Sequence, residues 1–189
     1  MQEKIYLKKL TLKDISKKYL YWVNNPEITK YLELGNKRLV YSDLEKYIKD
    51  SPKQGRHNFA VITDKTKKHI GNCSIYSIKP RIKEFEIGWF IGEKNFWGGH
   101  YSSMIIFQLH KKGFVEMNLQ KCIGYIDVNH IKARMTNIFS GYKEVGKLIK
   151  KKNNQSISLI KIEITKRDWL LNAKKLKIKY PELYEINNI

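Results

Sequence analysis

The sequence predicts a single-domain mixed α/β protein of the α+β kind, with helices flanking a central sheet. The predicted elements run strand, two helices, an antiparallel run, then strand, helix, strand, helix and strand. The segment from Glu84 to Gly92 alternates apolar and polar side chains and leads through a glycine turn into an amphipathic helix. At 189 residues the chain is long enough for one full core and short for two.

The N-terminal elements follow from capping and stop signals. Residues 4–10, KIYLKKL, predict a short strand. The TLKD sequence at Thr11–Asp14 has the form of a capping box and predicts a helix that carries Trp22. The proline in Asn24–Pro26 ends this helix, because the residue before a proline disfavours helical angles. A second capping box, Ser42-x-x-Glu45, predicts the start of the next helix.

The middle of the chain predicts a hairpin and then the strand–turn–helix unit. Residues 59–63 and 69–78 read as paired strands. In the following strand, Glu84, Glu86 and Gly88 share the face of the sheet opposite to Phe85 and its apolar neighbours. The helix after the glycine turn continues as far as Lys112, because its apolar residues recur at helical spacing.

The last third predicts a strand at 121–128, a short helix at 131–139, and a late strand at 156–165. Gly141 suits the end of the short helix. A basic, weakly amphipathic helix follows at 167–180. The predicted organisation is therefore one domain over residues 1–165 and a basic helical extension over residues 166–189, whose default reading is a solvated, charged helix.

Composition narrows the class of protein. The formal net charge of +19 predicts acidic partners such as nucleotide phosphates, a nucleic acid or an anionic membrane surface. The lysines are spread along the whole chain with many Asn and Ile residues, which an AT-rich genome explains equally well. No apolar run reaches about 18 residues, so the sequence predicts no membrane span. Cys73 and Cys122 have no metal-ligand spacing and predict a reduced, cytoplasmic protein without a metal.

The turn before the helix carries the chemistry of an anion site. It contains two adjacent glycines, Gly98 and Gly99, followed by the small hydroxyl residues Ser102 and Ser103. Glycines let the backbone turn sharply or approach a ligand closely, and a helix start presents N–H groups and a positive dipole end to a phosphate. Taken alone, two glycines also fit an ordinary connecting loop.

The surrounding motifs resemble those of the GNAT N-acetyltransferases. EIGWFIGEKNFWGGHYSS, from Glu86, is similar to the acetyl-CoA-binding segment of that family. The segment from Trp22 to Leu32, the paired strands, and the segment from Ala133 to Tyr142 resemble further family motifs in the same order. The closest branch contains ribosomal-protein N-terminal acetyltransferases and acetyltransferases of surface-polysaccharide loci. The resemblance implies a mostly antiparallel sheet with a splayed strand pair.

The resemblance also implies which residues bind acetyl-CoA. The family's first signature glycine falls on His100, so the loop either shifts by one residue, with Gly99 serving, or binds the pyrophosphate less well. The strand residues line the pantetheine arm. An asparagine that contacts the cofactor corresponds to Asn129 or to His130, and the family's acid tyrosine falls on Asn137. The implied set is Trp89, Phe90, Ile91, Trp97, Gly98, Gly99, His100, Tyr101, Ser102, Ser103, Asn129, His130 and Asn137.

For the chemistry, Glu86 matches the family's acidic position, and Glu84 shares its face of the strand. A base there takes a proton from the substrate ammonium, directly or through water, and partial burial raises the pKa of the carboxyl toward neutrality. Both glutamates equally fit surface residues paired with lysines. Because Asn137 has no titratable proton, Tyr142, Tyr125 or a water is left as the candidate acid.

The resemblance places the acceptor near Trp22, Tyr31 and Arg56. It implies acetyl transfer from acetyl-CoA to a primary amine, most specifically the amino group of a nucleotide-linked amino sugar in bacterial surface-glycan synthesis. Alternatives are a protein N-terminus, a small-molecule amine such as an antibiotic, and a non-catalytic RNA-associated module. As partners, the sequence favours a small-molecule amine over a nucleic acid and leaves a homodimer open.

Overall fold

The computed structural model describes residues 3–32, 37–152 and 155–184. The strands are β1 Ile5–Lys9, β2 His57–Thr63, β3 His69–Lys79, β4 Glu84–Ile91, β5 Lys121–Asp127, β6 Lys143–Lys152 and β7 Gln155–Thr165. The helices are α1 Lys17–Asn24, α2 Pro26–Thr29, α3 Tyr41–Asp50, α4 Tyr101–Lys111, α5 Ile131–Phe139 and α6 Lys166–Lys179. A short π-helical segment, Lys112–Glu116, continues α4.

The strands form a seven-stranded sheet in the order β1-β2-β3-β4-β5-β7-β6. The pairs β1–β2, β2–β3, β5–β7 and β6–β7 are antiparallel, whereas β4–β5 is parallel. The parallel pairing begins at Glu84 with Lys121 and ends at Glu86 with Ile123, although both strands continue. The sheet is therefore mixed and mostly antiparallel with a splayed strand pair, as predicted.

The chain divides into two compact units. The first unit comprises Met1–Tyr76 and Gly88–Ile105. Its core is a cluster of buried apolar side chains from the N-terminal helices and from β2: Leu10, Tyr19, Trp22, Val23, Ile28, Leu44, Ala60 and Ile62. Phe90 of β4 packs against this cluster. The C-terminal part of β4 is thereby packed against the core of the first unit.

The second unit comprises Ser77–Ile87 and Ile106–Ile189. Aromatic side chains dominate its core: the rings of Phe85 and Phe114 meet edge to face at 5.1 Å, and Phe114 lies 5.5 Å from Trp169. Gly113 leaves room for Phe85, because a Cβ at this glycine would approach the ring to 2.3 Å. Trp169 belongs to α6, so the C-terminal helix is part of this core.

The predicted helix starts differ from the observed ones. The capping box at Thr11 and Asp14 forms, but it begins a single 3-10 turn, and α1 starts later with Ser16 accepting from the Tyr19 N–H. The predicted box at Ser42 is wrong. Asp43 accepts instead from the Val40 N–H at 2.9 Å, so α3 begins at Tyr41. Near each helix start, several polar side chains could accept a hydrogen bond from a free backbone N–H group. The tertiary structure determines which of them becomes the cap.

Two further predictions need correction. Strand β6, with the sequence KEVGKLIKKK, was not predicted, because its lysines hide the alternation of an edge strand paired only with β7. The C-terminal helix is not merely solvated, since Trp169, Ala173 and Leu176 are buried. Residues 185–189 of the predicted extension lie outside the described residues, and the boundary at residue 165 stays a prediction.

Among residues 3–32, 37–152 and 155–184, no helix combines the length and the apolar character of a membrane span. The same residues contain no group of three or more His, Cys, Asp or Glu side chains that could hold a metal ion.

Candidate active site

The turn between β4 and α4 lies in the first unit and is built on two left-handed glycines. Gly98 has φ of 85° and Gly99 has φ of 55°, values that residues with a Cβ rarely adopt. Both glycines are exposed, and a Cβ built on Gly98 would meet no atom within 4 Å. The turn therefore leaves open space beside the backbone that leads into α4, which is what a phosphate-binding loop requires.

The start of α4 shows how the chain accommodates His100. The carbonyl oxygen of His100 accepts the Met104 N–H at 2.8 Å and the Ser103 hydroxyl at 2.9 Å. His100 is thus the N-terminal cap, and Tyr101, Ser102 and Ser103 form the first turn. The two left-handed residues directly precede the cap, so the turn forms even though the resemblance aligns His100 with a glycine. The N–H groups of the first helical turn have no partner within the helix and can therefore bind an anion.

Trp97 connects this turn to the end of β4. Its indole N–H donates to the Ile91 carbonyl oxygen at 2.8 Å, and its ring is partly exposed beneath Lys94. Phe90 packs into the helical core, with its ring 6.3 Å from that of Trp22, whereas Trp89 is half-buried. Anchoring by Trp97 holds the glycine turn against the strand. Contacts of these residues with the pantetheine arm stay predictions.

Glu84 lies in the second unit and is only 7% exposed. Its carboxylate forms ion pairs with Lys79 and with Lys121, each at 3.1 Å. Desolvation raises the pKa of Glu84, but the hydrogen bonds and charges of Lys121 and Lys79 outweigh it, and the pKa lies below its usual value. A carboxylate held ionised by two lysines binds a proton weakly. Glu84 is therefore a structural ion-pair partner of the two lysines, and its predicted role as a base stays a prediction that this arrangement disfavours.

Glu86 lies two residues further along β4, in the second unit, and is half-buried. It faces Ile123 across the last pair of the parallel ladder, at the point where β4 and β5 stop pairing. The residues on either side of it, Phe85 and Ile87, point into the core. Glu86 therefore stays the candidate base of the two predicted glutamates.

Tyr142 is buried, with 5% of its surface exposed. Its hydroxyl lies 2.8 Å from Nε2 of His110 and 3.1 Å from Sγ of Cys122, and both partners are fully buried. Burial and these hydrogen bonds disfavour Tyr142 as the acid for a departing thiolate, and that role stays a prediction. The sequence had no signal for this network, because its three members are far apart along the chain. Tyr125 is exposed.

The remaining predicted cofactor residues of the second unit lie around α5. Asn129 is exposed in the turn after β5, where its N–H donates to Asp127, and His130 caps the helix. Asn137 is 2% exposed, and its Nδ2 donates to the Ala133 carbonyl oxygen at 2.8 Å. Within the described residues, the Asn137 side-chain oxygen is buried without a partner. Contacts of these three residues with acetyl-CoA stay predictions.

Of the predicted acceptor residues, Trp22 is buried, which favours a packing role. It is 1% exposed, and it packs so closely on Gly92 that a Cβ there would lie 2.1 Å from the indole. Its ring also meets the ring of His69 edge to face at 5.1 Å. Trp22 is therefore a core residue of the first unit. Tyr31 is exposed, with the Lys30 ammonium 5.2 Å from its ring centre.

Arg56 is the predicted acceptor residue that the structure holds in a defined position. It is half-buried, donates to the Ser74 hydroxyl at 2.9 Å, and lies 4.0 Å over the ring of Tyr76. Both supporting residues, Ser74 and Tyr76, are absent from the site predicted from the sequence. Their spacing of two along β3, which puts them on one face of the strand, was the signal that could have found them.

Comparison with known proteins identifies the family. The model of the acetyltransferase (GNAT) domain matches residues 4–137. The chain belongs to the GNAT acetyltransferases. The match covers the glycine turn, α4 and most of α5, whereas β6, β7 and α6 lie beyond it.

Relatives of this GNAT acetyltransferase agree with that assignment. An uncharacterised N-acetyltransferase, p20, of Bacillus licheniformis is 29% identical over 146 residues, which is 75% of this chain and 81% of that protein. The spermidine N-acetyltransferase of Vibrio cholerae, solved with CoA and spermine, has a TM-score of 0.74 at 20% identity and covers 88% of this chain and 98% of its own. A GNAT-family acetyltransferase of Bacillus anthracis has a TM-score of 0.75 at 18% identity, with 87% and 96% covered.

The GNAT acetyltransferase is thus an acyl-CoA-dependent N-acyltransferase with acetyl-CoA as its co-substrate, which confirms the predicted reaction class. The two solved structures show the fold it shares and do not select the predicted branch. The glycine turn and the first turn of α4 stay the predicted binding site for the phosphates of the co-substrate.

Proposed function

We propose that the acceptor is a small-molecule primary amine with an anionic part, most specifically the amino group of a nucleotide-linked amino sugar in bacterial surface-glycan synthesis. The observation that carries this choice is the excess of positive charge, 37 Lys and Arg residues against 18 Asp and Glu residues. A strongly positive protein attracts a dianionic acceptor and repels a polycation. The resemblance to acetyltransferases of surface-polysaccharide loci supports the same class.

In this proposal Glu86 is the general base. Acetyl-CoA supplies the activated acetyl group. Glu86 takes the proton of the acceptor ammonium, directly or through one water, so that the nitrogen lone pair becomes available for attack on the thioester carbon. The apolar neighbours Phe85 and Ile87 limit hydration of the strand around it. Glu84 has no part in this step, because two lysines already neutralise its charge.

The glycine turn binds the phosphates in the same proposal. The exposed backbone at Gly98 and Gly99 leaves space for a ligand, and the first-turn N–H groups of α4 donate toward it. The carbonyl oxygen of His100 accepts a hydrogen bond from α4. Because His100 has a side chain, the close approach of the backbone to the phosphates falls to the two glycines before it. The proposal includes a cytoplasmic location, which two buried free cysteines fit.

A polyamine is the second candidate acceptor, because a solved structure of similar fold is a spermidine N-acetyltransferase crystallised with spermine. A polyamine acceptor requires a site with an excess of carboxylates. The charge of this chain is opposite, so we rank the polyamine below the anionic amine. A protein N-terminus, an antibiotic amine and a non-catalytic RNA-associated role are the further alternatives.

Calorimetric titration with acetyl-CoA tests the co-substrate site directly. The wild-type protein is compared with Gly99→Pro, which fixes φ near −65° where the structure has 55°. We expect the variant to lose at least about tenfold in affinity, equivalent to about 1.4 kcal/mol. Gly55→Pro is the matched control, since Gly55 is also a left-handed glycine in an exposed turn of the first unit. Circular dichroism checks that both variants fold.

The acceptor is then tested by measuring thiol release from acetyl-CoA with a UDP-linked amino sugar, spermidine and a short peptide. The proposal expects the highest kcat/KM with the UDP-linked amine. A higher kcat/KM with spermidine than with the UDP-linked amine would contradict the anionic acceptor and support the polyamine. Steeply salt-sensitive RNA binding without acetyl-CoA binding would instead support the RNA-associated role.

A further inference from the structure

Arg56 is held rigidly in the first unit before β2. Its side chain donates one hydrogen bond to the Ser74 hydroxyl at 2.9 Å, and its guanidinium carbon lies 4.0 Å from the centre of the Tyr76 ring. Ser74 is buried, so its hydroxyl is a fixed acceptor. A guanidinium that stacks on an aromatic ring and bonds to a buried hydroxyl has lost most of its freedom before any ligand arrives.

Gly88 of β4 leaves room for the Tyr76 side chain in this arrangement. A Cβ at Gly88 would lie 3.2 Å from Cε1 and 3.7 Å from the hydroxyl oxygen of Tyr76, and 3.9 Å from the Ser74 hydroxyl. The absence of a side chain therefore lets the tyrosine ring lie against β4. Gly88 occupies the same face of β4 as Glu86, because it is two residues further along the strand.

The charge of Arg56 is not neutralised. Within residues 3–32, 37–152 and 155–184, no carboxylate forms an ion pair with it. Arg134 shows the contrast, since its guanidinium makes two hydrogen bonds to Glu144 at 3.0 and 3.2 Å. Arg56 uses one of its five N–H donors on Ser74, so a planar fork of donors is left for an external oxyanion.

We propose that Arg56, positioned by Ser74 and Tyr76, binds a phosphate group of the acceptor and selects an amine on an anionic carrier. This inference rests on the proposed function, because it assigns the acceptor side of the same reaction. A guanidinium fits two phosphate oxygens at once, which a lysine ammonium does not. A polyamine approaching this face of the sheet would meet a fixed positive charge and be disfavoured.

The test uses UDP as a probe and does not require turnover. UDP binding is measured by calorimetry with saturating CoA, which occupies the phosphate loop at α4. Wild-type protein is compared with Arg56→Gln and Arg56→Lys, and with Arg81→Gln as the control that removes one exposed arginine elsewhere. We expect UDP affinity to fall about tenfold or more in Arg56→Gln. Arg56→Lys should recover part of it, and Arg81→Gln should keep the wild-type affinity.

Measurements of thiol release distinguish the role of Arg56 in binding the acceptor from the acetyl transfer reaction itself. With a UDP-linked amino sugar, Arg56→Gln should raise KM about tenfold or more and change kcat little, whereas KM for the same amino sugar without the nucleotide should stay unchanged. UDP binding that depends on Arg56 without any amine-dependent thiol release would remove the proposed acceptor and keep the oxyanion site. Equal UDP affinity in wild type and Arg56→Gln, or no UDP binding by wild type, would overturn the role of Arg56 and leave acetyl transfer to another amine intact.

Discussion

The hydroxyl oxygen of Tyr142 lies 2.8 Å from Nε2 of His110, inside the core of the second unit. The Sγ atom of Cys122 lies 3.1 Å from the same hydroxyl. Burial raises the pKa of the Cys122 thiol and lowers the pKa of His110 to about 3, so both groups are neutral at pH 7. The network is therefore a structural polar cluster that links β5, α4 and the segment after α5.

Tyr142→Phe should destabilise the protein without removing its catalytic acid. The substitution takes away the partner of a buried histidine nitrogen and of a buried thiol, which costs about 1 to 3 kcal/mol. We expect a lower urea midpoint and an unchanged kcat for acetyl transfer. Tyr125→Phe, at an exposed position, is the control for stability. A kcat reduced a hundredfold in a fully folded Tyr142→Phe would restore the tyrosine as the acid.

His110 should make the fold sensitive to mild acid. In the folded state it stays neutral down to about pH 3, whereas in the unfolded chain it takes up a proton below about 6.5. The unfolded state then binds more protons, so the free energy of unfolding falls as pH drops below 6.5, by at most about 1.4 kcal/mol per pH unit. Burial also lowers the pKa of His69, which acts in the same direction.

The measurement is the free energy of unfolding between pH 7 and pH 5, above the range in which carboxylates such as Glu84 begin to protonate. His110→Gln should flatten this slope, whatever its own stability at pH 7. His57→Gln, at an exposed position, should keep the wild-type slope. An unchanged slope in His110→Gln would show that another group controls the acid sensitivity.

Substitutions of the two glutamates of β4 should have different effects, on activity at Glu86 and on stability at Glu84. We expect Glu86→Gln to lower kcat/KM about a hundredfold and to remove the acidic limb of its pH profile, because it removes the proposed base. Glu84→Gln should leave kcat unchanged and lower the free energy of unfolding by about 1 to 3 kcal/mol, since two hydrogen-bonded lysines lose their partner. Because the pKa of Glu84 is lowered, this contribution is present above pH 4.5 and is lost as pH falls below it. The opposite pattern of effects would exchange the two roles.

Gly92→Ala should destabilise the first unit. A Cβ at this position would lie 2.1 Å from Trp22, so the buried indole must move, at a cost of about 1 to 3 kcal/mol. Gly146→Ala in β6 is the matched control, because nothing lies within 4 Å of its added Cβ, and it should be neutral or slightly stabilising. Chemical denaturation followed by tryptophan fluorescence measures both. Equal midpoints would mean that Trp22 is not tightly packed.

Elements with a strong local pattern were predictable from the sequence. The alternation before Ile91, the glycine turn and the stripe of α4 depend on neighbours two to four residues apart, and all three occur as predicted. The edge strand β6 was missed because its pattern is weak and its stability comes from β7, which follows it in the chain. The observed helix starts differ from the predicted ones by one to several residues, because several nearby polar side chains can cap the same free backbone N–H groups.

The order of strands and helices and the glycine turn could be predicted from the amino-acid sequence, because they depend on local periodicity and on turn residues. The family, its splayed sheet and the reaction class followed from the resemblance of several motifs in the same order. The surroundings of the candidate side chains became visible only in the tertiary structure. It buried Trp22 and Tyr142, paired Glu84 with Lys79 and Lys121, and brought Ser74 and Tyr76 to Arg56. Burial and charge pairing depend on residues that are distant in the chain. The local sequence therefore does not distinguish a tryptophan, tyrosine or glutamate of the core from one in the active site.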